Sequence, residues 1–361
     1  MDRRRFLTAS GAAAAGLLAG CTGFGGSDES GGTTTGTAGD DGPTLVVATY
    51  GSFIDAPSSS PGAWLKQRFE SEFDASVVWQ TPTNEVNHFI ERRKAGVDVE
   101  ADVYVGLSAD DLVRIDATLE EGLFAEAGDV GDGDVKDGLR FDPAGRAVPF
   151  DTGYVSLVYD GTRMTAPDGF EGLLAEEFAG DLITQNPSSS DTGRAFLLHT
   201  VEEFGPDGYL DYWADLQAND VRVLGSWDDA YSAWSEGEAP MVTSYSTDRV
   251  YANRYDQNLE KHRVRFLNDE GYANPEGMAV FAGTNRPDLA RQFVRFMLRP
   301  EVQGEIAVRN VAFPATTDAA LPESYAKYAL EPPTPVTFTY EELQGSVGGW
   351  IEDWSQQFAQ N

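Results

Sequence analysis

The chain has 361 residues, with 26 Lys and Arg against 59 Asp and Glu, a net charge of −33 and a single cysteine. This balance excludes nucleic acid as a partner, because a phosphate backbone would be repelled, and one cysteine excludes an intrachain disulfide framework or a Cys-based metal site. Only five basic residues are Lys, and an acidic, Lys-poor surface is the composition expected of a halophilic protein in concentrated salt, where the Debye length shrinks to about 3 Å.

At the N-terminus Arg3-Arg4-Arg5-Phe6-Leu7 leads into an apolar stretch, Ala12 to Ala19, that closes on Leu18-Ala19-Gly20-Cys21. The arginines before an apolar segment resemble a Tat export signal, and Leu-Ala-Gly-Cys resembles a lipobox whose cysteine is lipidated. Phe6 to Gly20 falls short of the roughly 20 apolar residues that a spanning helix needs. Residues 1–21 are therefore expected to be a lipoprotein signal, with Cys21 the lipid attachment point at the extracellular face of the cytoplasmic membrane. Residues 22–43 are rich in Gly, Ser, Thr and Asp and are expected to form a disordered tether reaching about 25 Å. The folded part begins near Thr44 and is long enough for two packed lobes.

Thr44 to Tyr50 reads as a buried opening strand, and Gly51-Ser52-Phe53 turns the chain toward a helix carrying Trp64, Leu65 and Phe69. Ala75 to Gln80 is a second strand, Asn84 to Gly96 a helix, and Ala101 to Gly106 a third strand. Such alternation predicts a parallel α/β sheet. A strand pair follows at Arg146 to Phe150 and Gly153 to Tyr159. Next come a helix, a strand (Leu182 to Thr184), a helix from Thr192, a strand (Val221 to Leu224) and a helix from Trp227, which together predict a second α/β lobe. A further strand pair, Arg263 to Leu267 and Gly277 to Ala282, precedes an amphipathic helix from Pro287 to Leu298 with Leu289, Phe293, Phe296 and Met297 on one face. The chain ends in helical segments holding Trp350, Trp354 and Phe358. Asp129, Asp132, Asp134 and Asp137 lack the glutamate that closes a calcium loop and read as a solvated acidic loop.

Chemistry for an enzyme is thin. His88, His199 and His262 are far apart with no metal-ligand spacing, and there is no nucleophile elbow, phosphate loop or catalytic cysteine. The unusual resource is aromatic. Tyr50 ends the first strand, at the carboxyl edge where open α/β sheets place ligands. Trp227 follows Ser226, which with Asp229 makes a plausible helix cap, so the indole projects from a helix start. Tyr245 closes the strand Met241 to Tyr245, and Tyr251 lies six residues on. Converging rings suit a flat cationic or heteroaromatic ligand. The spacing of Trp227, Tyr231 and Trp234, and of Tyr251 and Tyr255, equally fits buried helix stripes. Pro187 to Gly193 is a small polar run before a helix; it suits an anion at the helix start or an N-cap by Ser190 or Asp191.

These residues align with a family. Thr49 to Phe53, Ala101 to Leu107, Val148 to Tyr154, Gln185 to Gly193, Gly225 to Tyr231, Ser244 to Thr247 and Phe293 to Leu298 resemble, in order and spacing, the thiamine-binding proteins of ABC importers. The resemblance implies the two-lobed α/β type II periplasmic-binding-protein fold with a hinge and a central ligand cleft. Lobe 1 is then 44–150 plus 275–361 and lobe 2 is 151–274. It further implies that Tyr50, Trp227, Tyr245 and Tyr251 line the cleft, with Ser190 near the phosphate end of a phosphorylated ligand. Where the family has an aspartate after the second strand this sequence has Asn84. Tryptophans near Pro57 and near Val311 to Pro314 are absent, leaving Phe53, Phe313 or Trp79 to rebuild the aromatic cage.

The expected protein is a monomeric substrate-binding lipoprotein without catalytic residues, metal or cofactor. It would close on thiamine, thiamine monophosphate or thiamine diphosphate and deliver it to a membrane permease. The rivals are a ferric iron or polyamine binder of the same superfamily and a secreted hydrolase, the last requiring a titratable pair in the cleft.

Overall fold

The computed structural model describes residues 42–55, 60–82 and 84–359. Cys21, the export signal and Pro57 lie outside the described residues. Among the described residues no helix is long and apolar enough to cross a membrane.

The chain opens with β1 (Thr44–Ala48), α1 (Gly51–Asp55), α2 (Gly62–Glu72), β2 (Ser76–Gln80), α3 (Val86–Lys94), β3 (Val103–Leu107), α4 (Ala109–Thr118) and β4 (Phe124–Ala125). It continues through β5 (Ala147–Tyr159), β6 (Leu182–Gln185), α5 (Asp191–Phe204), α6 (Tyr209–Ala218), β7 (Arg222–Leu224), α7 (Trp227–Ser235), β8 (Met241–Tyr245) and α8 (Asp248–Arg254). The last part holds β9 (Arg263–Arg265), β10 (Glu270–Phe281), α9 (Pro287–Met297), α10 (Pro300–Asn310), β11 (Phe313–Pro314), α11 (Glu323–Ala326), β12 (Thr334–Val336), α12 (Tyr340–Leu343) and α13 (Val347–Ala359).

All strands join one sheet, ordered β2-β1-β3-β10-β5-β8-β6-β7, with β4 and β12 beside β10 and β9 and β11 beside β5. β1, β2 and β3 are parallel, as are β6, β7 and β8. Between these halves β5 and β10 run antiparallel to each other. This confirms the α/β alternation and corrects one detail of it. The two short strands expected at 146–150 and 153–159 are a single 13-residue strand, β5. Asp151 and Thr152 do not turn the chain, because β10 pairs with both of them on one side and β11 on the other. The register slips instead at Phe150 of β5, which is left without a partner between Glu276 and Gly277 of β10.

Alternation along β1 splits the apolar residues between two faces. Leu45 and Val47 meet α2, α9 and α10 in a core where Phe69 sits edge-on to Phe293 at 5.2 Å and to Phe296 at 5.3 Å. Around α5 and α6 a second core gathers Phe196, Trp213 and Trp354, the two indoles edge-to-face at 5.4 Å. Thus α13 packs on α6. Apolar periodicity marks Trp354 as buried without saying against which helix.

Candidate functional site

Each parallel strand hands the chain to a helix, and the side chains at these junctions converge. Tyr50 follows β1, Ser108 and α4 follow β3, Ser190 and α5 follow β6, Trp227 follows β7, and Tyr245 closes β8. Contacts between them define the site, at the carboxyl strand ends where open sheets bind ligands.

At its centre lies a polar cluster that links four elements. The Tyr50 hydroxyl donates to Glu276 Oε2 at 2.9 Å. Asn310 Nδ2, at the end of α10, donates to Asp151 Oδ2 at 2.7 Å and to the Tyr50 hydroxyl at 3.2 Å. Asp151 and Glu276 are directly opposed in the β5–β10 register. Burial pushes the Asp151 carboxyl up to about 7 despite the Asn310 bond. Burial and then the Asp151 charge hold Glu276 well above the usual carboxylate range, with Asp191 and Glu85 adding to the effect. The cluster is therefore short of positive charge, and a cation placed against it would be stabilised. Sequence reasoning missed both carboxylates. The available signal was an acid inside the otherwise apolar run 147–159.

Two of the rings are seated on glycines. A Cβ at Gly106 would lie 2.6 Å from the Tyr50 ring, and Gly106 has φ +98°, so only glycine fits there. A Cβ at Gly153 would lie 2.7 Å from the Tyr245 ring. The Thr192 hydroxyl donates to the Tyr245 hydroxyl at 3.3 Å, which ties the start of α5 to the end of β8. Burial raises the hydroxyl pKa of both Tyr50 and Tyr245 above its ordinary value.

Trp227 is the first residue of α7, capped by Ser226, whose Oγ accepts from the Asp229 N–H at 3.1 Å. The indole N–H donates to Ser244 Oγ at 3.0 Å, and the ring stacks on Tyr231 at 4.8 Å with 22° between planes. Tyr231 in turn leans on buried Trp234 at 5.1 Å. The far end of this stripe is core, and Trp227 at the near end is half-buried. Tyr251 is also half-buried, on α8 against Tyr255 at 4.7 Å.

Ser190 caps α5, its Oγ accepting from the Gly193 N–H at 3.4 Å. Ser189 Oγ donates to the Gly225 carbonyl at 2.8 Å, and Ser188 Oγ meets Ser355 Oγ at 3.0 Å. Internal bonds thus engage all three hydroxyls. Asn84 is exposed in the turn before α3. Beside it Glu85 adopts φ +47°, a strained conformation of the kind that clusters at binding sites. Partial burial of its carboxyl and then the Asp191 charge raise the Glu85 pKa, and Arg194 and Arg114 oppose the rise, so this segment faces the start of α5.

Arg194 of α5 hydrogen-bonds Asp110 of α4 and, at 2.9 Å, Asp191. Burial alone would raise Asp110; the Arg194 charge and hydrogen bond reverse this and lower it. Burial and then Asp110 push Asp111 up to about 6. The residues proposed to rebuild the cage are packed against other rings. Phe53 and Phe313 are fully buried, the latter 5.1 Å from Tyr154, and Trp79 packs edge-on to Phe53 and Phe293.

The histidines have separate surroundings. His88 sits edge-on to Phe89. Burial pushes His199 down to about 4, so it is neutral beside Glu270. His262 is buried 2.8 Å from Asp248. Among the described residues no group of three His, Cys, Asp or Glu is placed to hold a metal ion. In the Asp129–Asp137 segment Arg140 pairs with Asp132 at 2.6 Å.

The profile of the bacterial extracellular solute-binding protein family matches residues 64–333, and the chain belongs to that family. The thiamine-binding periplasmic protein of Escherichia coli (strain K12) is 29% identical over 316 residues, 87% of this chain and 93% of that protein. Its counterpart in Haemophilus influenzae is 26% identical over 317 residues, 86% of this chain and 91% of that protein. Among solved structures a periplasmic thiamin binding protein superposes with a TM-score of 0.74 at 28% identity, covering 87% of this chain and 96% of that one. A ferric binding protein from Campylobacter jejuni shares the fold at 16% identity, with a TM-score of 0.71 over 87% of this chain and 99% of that one. The fold is the type II periplasmic-binding-protein fold, and this is an extracellular solute-binding protein, not an enzyme.

Proposed function

We propose that this chain is the substrate-binding protein of an ABC importer and binds thiamine, or its mono- or diphosphate, in a cleft between two lobes that meet along β5 and β10. It works as a monomer anchored through Cys21 at the extracellular face of the cytoplasmic membrane and passes its ligand to the permease. The observation that carries the ligand reading is the pair Asp151 and Glu276, short of positive charge and bordered by Tyr50. A thiazolium ring answers that deficit, and the half-buried rings of Trp227, Tyr245 and Tyr251 offer faces worth about 0.5–2 kcal/mol each. Ser190 and the start of α5 would lie toward a phosphate, with the capping hydroxyl exchanging its internal partner. Asn84 lies at the other rim beside Glu85, which supplies the acid this segment otherwise lacks.

A polyamine is the second reading, favoured by the number of carboxylates around Glu276, among them Asp151, Asp191 and Glu85. Ferric iron fits less well, since tyrosinate ligands oppose the raised pKa of Tyr50 and Tyr245. Calorimetric titration of the full chain in multimolar KCl tests this. Saturable one-to-one binding of thiamine, weakened by Trp227→Ala and Glu276→Gln, supports the proposal. Binding of spermidine with no response to thiamine replaces it with the polyamine reading.

A further inference from the structure

We propose that Asp248, which makes no ligand contact in this reading, is the positioning residue that sets the spacing of the cleft's aromatic faces. The inference rests on the reading of Trp227 and Tyr251 as ligand-facing rings. Asp248 opens α8 and is 6% exposed. Both of its oxygens are engaged: Oδ1 accepts from the Tyr231 hydroxyl, and Oδ2 lies 2.8 Å from His262 Nδ1.

Tyr231 is one helical turn beyond Trp227 on α7 and lies beneath its ring at 4.8 Å and 22°. A chain of contacts therefore runs from carboxylate to phenol to indole. The indole is held at its other edge by Ser244 at 3.0 Å, so it has a defined plane. Tyr251 lies three residues beyond Asp248 on α8, on the same side of that helix. One carboxylate thus ties the helix carrying Trp227 to the helix carrying Tyr251. His262 braces the second oxygen, and Trp234 of α7 packs edge-on to His262 at 5.1 Å, which closes the ring of contacts. A buried carboxylate is tolerated when hydrogen-bonded donors surround it, and such a network selects one geometry over its neighbours.

The test uses the full chain in multimolar KCl. Tyr231→Phe keeps the stacked ring and removes only its bond to Asp248; Asp248→Asn removes the charge. Thiamine affinity is measured by calorimetry, and the indole's setting by the near-UV circular dichroism difference between each variant and the same variant carrying Trp227→Phe. Tyr231→Phe is expected to weaken thiamine binding about fivefold to tenfold, the scale of one ordinary intramolecular hydrogen bond, and to alter the Trp227 difference spectrum of the free protein. Unchanged affinity and an unchanged spectrum in Tyr231→Phe, beside weakened binding in Trp227→Ala, would overturn the positioning role alone. Unweakened binding in Trp227→Ala would overturn the ligand reading, and the positioning role with it. If Asp248→Asn does not fold, Tyr231→Phe carries the test.

Discussion

Asp110 at the start of α4 and Arg194 in the first turn of α5 are hydrogen-bonded, although α4 follows the β1–β2–β3 half of the sheet and α5 the β6–β7–β8 half. Each side chain is 18% exposed, so the pair is largely shielded from salt. Arg194→Ala removes a charge-assisted bond worth roughly 1.5–3 kcal/mol. It is expected to favour the open arrangement, with a larger radius of gyration in solution scattering and weaker ligand binding. An unchanged radius together with unchanged affinity would count against a bolt between the halves.

The Asp151–Glu276 pair predicts a pH dependence with a definite sign. Asp151 titrates near 3.9 when unfolded and at about 7 in the fold, so the folded state holds the proton more tightly. Its contribution to stability is fullest below pH 4 and is lost as pH rises toward 7. His199, held near 4 when folded, acts oppositely, adding stability as pH rises from about 4 to 6.5. The clean comparison is therefore Asp151→Asn against the native chain. The variant is expected to gain in relative melting temperature between pH 4 and pH 7, and parallel curves would disprove the assignment.

A cationic ligand reverses that balance by favouring the ionised pair. Thiamine binding is expected to release a proton near pH 6 and to strengthen as pH rises through 7. Calorimetry in two buffers of different ionisation enthalpy reads the proton count directly. Glu276→Gln should reduce the release, and an equal release in that variant would place the proton elsewhere.

Gly106→Ala is expected to disturb Tyr50. The added methyl would meet the ring at 2.6 Å, at a positive φ that disfavours alanine. A loss of about 1–3 kcal/mol in denaturant unfolding is the expected cost, accompanied by weaker binding because the Tyr50–Glu276 bond must shift. Stability lost with affinity retained would show that Tyr50 is not needed at the site.

Trp354→Ala opens a cavity against Trp213 and Phe358 and should cost about 3–5 kcal/mol. Affinity should survive under conditions where the variant remains folded, because the ring partners of Trp354 are Trp213 and Phe358 and not the rings of the candidate site. A loss of affinity in folded protein would show that the Ser355–Ser188 contact of α13 transmits the disturbance to the cleft.

Much of the architecture was legible in the sequence where side-chain pattern and backbone agree. β8 falls at Met241–Tyr245 as expected, and α9 ends one residue before its expected limit. The aromatic positions could be read because strand and helix ends follow from that pattern. Asp151 and Glu276 could not, since a charge in a strand interior resembles a break; only long-range pairing shows β5 passing through it. α4 also went unread, although Ser108 and Asp111 form its capping box. The opposition of Asp110 to Arg194 depends on the meeting of two distant helix starts, which no local spacing encodes.

The two strands that bridge the halves also carry the carboxylates at the site's centre. A solute that neutralises them alters the electrostatic load on the strands that join the two halves of the sheet. Recognition and the joining of the halves therefore share one component, and a neutral molecule of the same outline leaves that load in place.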